Sequence, residues 1–186
     1  MCIHNLAHLL VVFLELNDNN LLQLELKKLA FGEGKNRLDN YTSLIDALIK
    51  AETIGKPQHE KIVFVSKTPT YLIEAAGFPN LPLVIIGKTV SKAHFDHGIP
   101  LSLLKRLPEV VESPHALFKS QSKMAHAGSV VILTLEIKGS SPIVVPVRPN
   151  GEVGARRANE KANIITSVYA KEGPNPLAKW AAAGLL

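Results

Sequence analysis

Two histidines lie three residues apart in the segment "SKAHFDHGIP". If this segment is helical, His94 and His97 occupy adjacent positions of one helix face, and Lys92 lies just over one turn before His97. An imidazole titrates near neutral pH, so a histidine here could transfer protons in catalysis. Two other interpretations stay open. The pair could bind a metal ion, or His97 could simply end a helix before Gly98 and interact favourably with its dipole.

A second group of polar residues lies in "ARRANEKANIITSVYAK", residues 155–171. It mixes cations that bind phosphate with neutral hydrogen-bond donors: Arg156, Arg157, Lys161 and Lys171 with Asn163, Thr166, Ser167 and Tyr169. If "NIITSVYAK" is a regularly alternating strand, Asn163, Ser167 and Tyr169 share one face. That face is either the polar floor of an active site or the solvent side of an ordinary antiparallel strand.

No sequence motif supports a metal or an organic cofactor. The chain has neither HExxH nor CxxC, and no P-loop, dinucleotide fingerprint or GxSxG nucleophile motif. We therefore expect no metal site, no cofactor and no serine-hydrolase mechanism.

The charge of the chain is unevenly distributed. Residues 1–60 contain 6 Lys and Arg against 8 Asp and Glu, whereas residues 61–186 contain 15 against 8. A basic surplus in one part of a chain is typical of proteins that bind nucleic acid, although a basic surface without a partner has the same composition.

Cysteine content and hydropathy indicate the compartment. The single cysteine, Cys2, cannot form an internal disulfide, which favours a reducing cytoplasm. The apolar run "LLVVFLEL" is too short to span a bilayer and contains Glu15, so we expect no membrane segment.

The order of predicted elements indicates an α+β fold. Residues 1–60 read as an N-terminal extension, either a hairpin or two helices followed by a helix that Asp39 or Asn40 could cap. Residues 61–186 read as helices followed by an antiparallel meander. The helix after Pro100 is expected to kink or split at Pro108, and the strand containing Pro146 to be an edge or to be bulged. We predict helices packed on one face of a roughly four-stranded antiparallel sheet.

The succession of segments in residues 61–186 resembles one family. It comprises "FVSKTPTYLIEAAGFPNLPLVI", "SKAHFDHGIPLSLLKRLPEVVESPHALFKS", "SVVILTLEIKG", "PIVVPV", "NIITSVYAK" and "LAKWAAAGLL". These segments are similar to the C-terminal domain of phage MuF-type head proteins, also described as a phage nuclease domain of the barnase, EndoU, colicin and RelE kind.

This resemblance implies a barnase- or RelE-like fold and a metal-independent endoribonuclease toxin. It further implies RNA as the substrate, with tRNA among the candidates, an immunity protein or antitoxin as a partner, and the cytoplasm of a phage- or prophage-carrying bacterium as the location. The family's polar positions fall on Lys92, His97, Asn163, Ser167 and Tyr169. We predict catalysis by His97, Lys92, Ser167 and Tyr169, and substrate binding by Asn163, Lys171, Arg156 and Arg157. The candidates for the second proton carrier are Tyr169, His94 and Glu136.

Two other functions fit the same residues. The chain could be a non-catalytic module that binds nucleic acid or another phage-head component, or a transferase on a similar scaffold.

Overall fold

The computed structural model describes residues 34–120, 125–154 and 160–172, together with residues 178 and 182. The chain divides into two compact units, Met1–Arg37 and Leu38–Leu186. Apart from the start of the first helix, the described residues lie in the second unit. The predicted boundary near residue 60 falls inside that unit, and the predicted N-terminal hairpin or helices lie outside the described residues.

Helices and strands alternate in the first part of the described chain, and strands dominate the second. The helices are α1 (Gly34–Thr53), α2 (Thr70–Ala76), α3 (Gly87–Phe95), α4 (Leu101–Lys105) and α5 (Leu107–Glu112). The strands are β1 (Ile62–Lys67), β2 (Pro82–Ile86), β3 (Ala116–Lys119), β4 (Val130–Lys138), β5 (Ser141–Val153), β6 (Glu160–Ile165) and β7 (Tyr169–Ala170).

Proline and glycine residues in the sequence predicted the helix ends better than the candidate capping residues did. The predicted split at Pro108 is confirmed, because α4 and α5 separate at Arg106 and Pro108 lies in the first turn of α5, where its missing N–H costs nothing. The predicted start of α1 at Asp39 or Asn40 is wrong, since the helix already begins at Gly34. One cap contributes only about 1 kcal/mol, which additional helical hydrogen bonds can outweigh.

The described strands form one mixed sheet in the order β1-β2-β6-β5-β4-β3, and β7 also pairs with β5. Neighbouring strands are antiparallel except for the parallel pair β2 and β6. The predicted combination of helices with a sheet is confirmed, and so is the β4–β5 hairpin at "KGSS". The predicted size and wholly antiparallel arrangement are wrong, because β1 and β2 join the same sheet and β2 pairs in parallel with β6. The chain between these two strands comprises α3 to α5 and then β3 to β5.

Pro146 lies in the interior strand β5, between β4 and the β6–β7 segment, so the edge alternative of its prediction is wrong. As for the bulge alternative, β5 does shift register against β6, but between Arg148 and Gly151, just after Pro146. Its carbonyl accepts a hydrogen bond from the backbone N–H of Thr166 at 2.9 Å. In a strand the nitrogen and oxygen of one residue point to the same neighbour. The nitrogen of Pro146 therefore faces β6 and β7 but cannot donate a hydrogen bond to them. Opposite Pro146 the neighbouring segment is not a strand, since β6 ends at Ile165 and β7 begins at Tyr169.

The interruption changes which side chains share a face of the sheet. Ile165 and Val168 both belong to the main core of the protein. Buried helix residues such as Ile45, Leu72 and Val90 belong to the same core. Tyr169 instead packs with Phe118 and Val144 in a smaller cluster of strand residues. The prediction that Asn163, Ser167 and Tyr169 lie on one continuous face is therefore wrong, because the chain does not alternate regularly through residues 166–168.

Candidate functional site

The last turn of α3 determines the position of His97. The backbone N–H groups of Asp96 and His97 both donate to the carbonyl of Lys92, at 3.0 and 3.1 Å. Gly98 then takes a φ of +60°, a conformation that glycine adopts without strain. The helix ends at Phe95, a turn through Asp96 and His97 follows, and Gly98 redirects the chain, so the half-exposed imidazole of His97 lies just past the helix end.

His97 meets the aromatic ring of Tyr169. Their ring centroids are 5.9 Å apart and the ring planes are inclined by 53°. Tyr169 is held in place because β7 pairs with β5, with Tyr169 opposite Val144 and Ala170 opposite Ile143. The structure thus brings together two of the predicted site residues that are 72 positions apart in the chain.

A lysine that the sequence did not single out completes this group. The Nζ of Lys138, at the end of β4, donates a hydrogen bond to the backbone carbonyl of His97 at 2.7 Å. A Cβ atom at Gly98 would lie 2.8 Å from the same Nζ, so glycine also leaves room for the lysine. We call His97, Lys138 and Tyr169 the His97 cluster. Only the general basic character of residues 61–186 could have indicated Lys138, because no local motif surrounds it.

The side-chain polar atoms of His97 and Tyr169 are available for a ligand. Within the described part of the chain, neither the ring nitrogens of His97 nor the hydroxyl of Tyr169 has a hydrogen-bonding partner. Burial raises the pKa of Tyr169, which keeps the phenol protonated at neutral pH. Tyr169 is therefore suited to donate a hydrogen bond, whereas His97 has an imidazole that can gain or lose a proton.

Three further predicted residues lie in the segments around the His97 cluster. The side chain of Lys92 is exposed on the last turn of α3. Ser167 is half-buried in the interruption before β7, and Lys171 is half-buried directly after β7, where its backbone N–H donates to Pro142 at 2.8 Å.

Asn163 lies apart from the His97 cluster and forms hydrogen bonds inside the protein. Its side chain is completely buried. The Nδ2 donates to Thr68 Oγ1 at 2.7 Å and to the carbonyl of Pro79 at 2.9 Å, and Oδ1 accepts from the N–H of Asn150 at 3.1 Å. These bonds tie β6 to two loops, at Thr68 and Pro79, and to Asn150 in β5, so the amide has a clear structural role in this conformation.

The remaining predicted residues divide into two groups. Arg156 and Arg157 lie outside the described residues. Of the proposed second proton carriers, Glu136 accepts a hydrogen bond from Arg106 Nη2 at 2.8 Å, and His94 donates from Nδ1 to the carbonyl of Ile99 at 3.0 Å. A carbonyl oxygen can only accept, so His94 carries its proton on Nδ1, and its Nε2 has no hydrogen-bonding partner among the described residues.

The described residues contain neither a group of metal ligands nor a membrane-spanning helix. Across residues 34–120, 125–154 and 160–172, no three His, Cys, Asp or Glu side chains lie close enough together to hold a metal ion. Among the described helices, none is both long and apolar enough to cross a bilayer.

The site combines a histidine that follows a helix with a lysine and a tyrosine on strands of a mixed sheet, at the end of the β4–β5 hairpin. Comparison with known protein families shows the family to which the chain belongs. The model of the phage MuF-C-terminal domain matches residues 88–186, which is more than half of the chain, and this protein therefore belongs to that family. The matched region contains the whole His97 cluster. No curated protein and no solved structure matched the chain.

Proposed function

We propose that this protein is a metal-independent endoribonuclease toxin whose active site is the His97 cluster. The proposal rests chiefly on one observation, the 5.9 Å approach of the His97 and Tyr169 rings beside the Nζ of Lys138. A proton carrier, a neutral hydrogen-bond donor and a cation are the groups that phosphodiester cleavage requires in the absence of a metal.

The reaction would be an internal transesterification. A base takes the proton of the ribose 2′-hydroxyl, and the 2′-oxygen then forms a bond to phosphorus. The bond from phosphorus to the 5′-oxygen breaks, and that oxygen receives a proton from an acid. The products are a 2′,3′-cyclic phosphate and a 5′-hydroxyl, so atoms and charge balance without a cofactor.

His97 would carry one of these two protons, and each well-positioned proton transfer typically accelerates a reaction by about 10²- to 10⁴-fold. Tyr169 remains protonated and would donate to a nonbridging phosphate oxygen. Lys138 and the exposed Lys92 would offset the charge that develops on the phosphate. His94, whose Nε2 has no partner in the described segments, is the candidate for the second proton carrier because Glu136 is paired with Arg106.

The substrate and partners belong to the same proposal. RNA, with tRNA among the candidates, would bind at the basic face that includes Lys92, Lys138 and Lys171, and an antitoxin or immunity protein would cover the same groups. A barnase- or RelE-like arrangement of the sheet and helices is also part of the proposal, because the resemblance of the sequence implies it.

One observation favours a second candidate, a non-catalytic module that binds another phage-head component. Leu135 and Ile137 on β4 are 70% and 69% exposed, and Phe95 at the end of α3 is 50% exposed. Exposed large apolar side chains are common in protein interfaces. This second function predicts that the wild-type protein does not cleave RNA.

The test is incubation of the purified protein with total RNA in the presence of EDTA, followed by mapping of new 5′ ends. We expect cleavage that leaves 5′-hydroxyl ends, and we expect His97→Ala to lose it while retaining its fold by circular dichroism. His115→Ala is the matched control, since His115 is an exposed histidine before β3. Absence of cleavage by the wild-type protein, or undiminished cleavage by His97→Ala, contradicts the proposal.

A further inference from the structure

A cavity of about 580 Å³ lies between the end of α2 and the connection from β3 to β4. Its polar described lining comprises Lys119, Ser120, His126 and Ser129, and none of its described lining residues is acidic. Two backbone hydrogen bonds shape this connection, from Ser120 N–H to the carbonyl of Ser129 at 3.0 Å and from Ser129 N–H to the carbonyl of His126 at 3.1 Å. The cavity therefore presents only cations and neutral hydrogen-bonding groups among these side chains.

Arg148, on β5, fixes the protonation of one lining residue. Its Nη1 lies 2.7 Å from Nε2 of His126. A guanidinium group can only donate, so Nε2 must accept and the proton of the neutral imidazole must be on Nδ1. Within the described part of the chain this Nδ1–H has no hydrogen-bonding partner. Arg148 thus acts as a positioning residue that makes the His126 ring a donor through Nδ1.

The guanidinium of Arg148 is itself held closely and lacks a counter-charge. A Cβ atom at Gly151 would lie 2.5 Å from Nη2 and 2.8 Å from Nε, so only glycine allows this packing. The Nε atom is buried without a hydrogen-bonding partner, and no carboxylate of the described residues pairs with Arg148. Arg148 is half-buried as a whole and its contact with His126 is exposed, and a cation without a nearby carboxylate favours an anion in its neighbourhood.

We propose that this cavity binds a phosphate group. The Nδ1–H of His126 and the Nζ of Lys119 are the principal donors, and the hydroxyls of Ser120 and Ser129 add neutral ones. Arg148 contributes through the His126 tautomer and through its charge. Hydrogen bonds from charged donors to phosphate are among the stronger polar contacts in proteins, which suits a site with no acidic side chain among its described lining.

This site is separate from the His97 cluster. Lys138 ends β4 whereas the cavity includes Val130 at its start, and eight strand residues of roughly 3.3 Å each separate them by about 25 Å. One phosphodiester cannot contact both sites. The inference therefore stands whether or not the protein cleaves RNA.

The experiment titrates the full chain with two probes at about pH 7.5. The probes are inorganic phosphate and a DNA dinucleotide, which carries one phosphodiester and no 2′-hydroxyl. Calorimetry should show saturable binding of at least one. Binding of phosphate alone identifies a free phosphate or phosphomonoester as the ligand, and binding of the dinucleotide identifies a nucleic-acid backbone.

Two variants test which groups bind the probe, a third is their control, and a fourth tests the role of Arg148. His126→Ala and Lys119→Gln should each weaken binding roughly 10- to 100-fold, the effect of losing one strong hydrogen bond. Lys56→Gln is the matched control, because Lys56 is an exposed lysine between α1 and β1, and it should bind as the wild type does. Arg148→Gln should shift the ¹⁵N resonances of the His126 ring away from those of a fixed Nδ1–H tautomer.

Three results would overturn the proposal. The first is no saturable binding of either probe by the wild-type protein. The second is equal binding by His126→Ala, Lys119→Gln and the Lys56→Gln control. The third is a His126 ring that carries its proton on Nε2 in the wild-type protein.

Discussion

The two ends of the β4–β5 hairpin each place a histidine beside a basic side chain, but they use the histidine differently. At one end His97 gives only its backbone carbonyl to Lys138, and its ring nitrogens have no described partner. At the other end the ring of His126 accepts a hydrogen bond from Arg148. An unbonded imidazole can exchange protons, whereas a ring committed to one tautomer is better suited to donating a hydrogen bond. The contacts of the ring, rather than the presence of a histidine, separate a candidate catalytic site from a candidate binding site.

The largest expected effect on the cleavage rate is the difference between two alanine variants, one at each histidine. His97→Ala should lower the rate of RNA cleavage by about 10²- to 10⁴-fold, because it removes a proton carrier. His126→Ala should leave the rate at saturating RNA within about 10-fold of the wild type, since one lost binding contact acts mainly on affinity. Single-turnover cleavage measures both. Equal losses in the two variants would contradict the division of roles.

Tyr169→Phe tests the hydroxyl without removing the ring. Loss of a donor to the phosphate should reduce the cleavage rate by about 10²-fold. The thermal midpoint should hardly change, because the phenyl ring can still pack against His97 and the strand residues around Phe118. An unchanged rate would show that the phenol does not donate to the reacting phosphate.

Asn163→Ala separates stability from chemistry. It leaves the N–H of Asn150, the hydroxyl of Thr68 and the carbonyl of Pro79 without their amide partner. The free energy of unfolding should fall by about 2 to 3 kcal/mol, measured by urea denaturation. At a temperature where the variant is folded, cleavage should be close to that of the wild type. A large loss of activity with unchanged stability would instead place Asn163 in the substrate site.

The smallest effect is expected at alkaline pH. Tyr41 is buried and donates to the carbonyl of Leu104 at 3.0 Å, and burial raises its pKa above the ordinary value of 10.0. Above about pH 10 the unfolded chain therefore loses this proton while the folded chain keeps it, so stability should fall as the pH rises. Thermal midpoints between about pH 8 and 11 should decline less steeply in Tyr41→Phe than in the wild type. Equal slopes would show that another group controls alkaline unfolding.

Local signals predicted much of the fold but little of its assembly. The sequence correctly placed the helix ending before Gly98, the split at Pro108 and the β4–β5 hairpin, because each depends on residues only a few positions apart. It missed the single large sheet, since the parallel pairing of β2 with β6 joins segments about 80 residues apart. For the site, it selected His97 and Tyr169 but not Lys138, which approaches through tertiary contact alone.

Sequence by itself determined where the backbone must turn or cannot donate, because proline and glycine impose those limits directly on their own peptide units. Pro146 is an example, since its missing N–H was evident from the start. Only the tertiary structure decided which neighbour would lose that hydrogen bond, and hence that Tyr169 would lie near His97 while Asn163 became buried. Those outcomes depend on strand order, which arises from the packing of the whole core and not from any one segment.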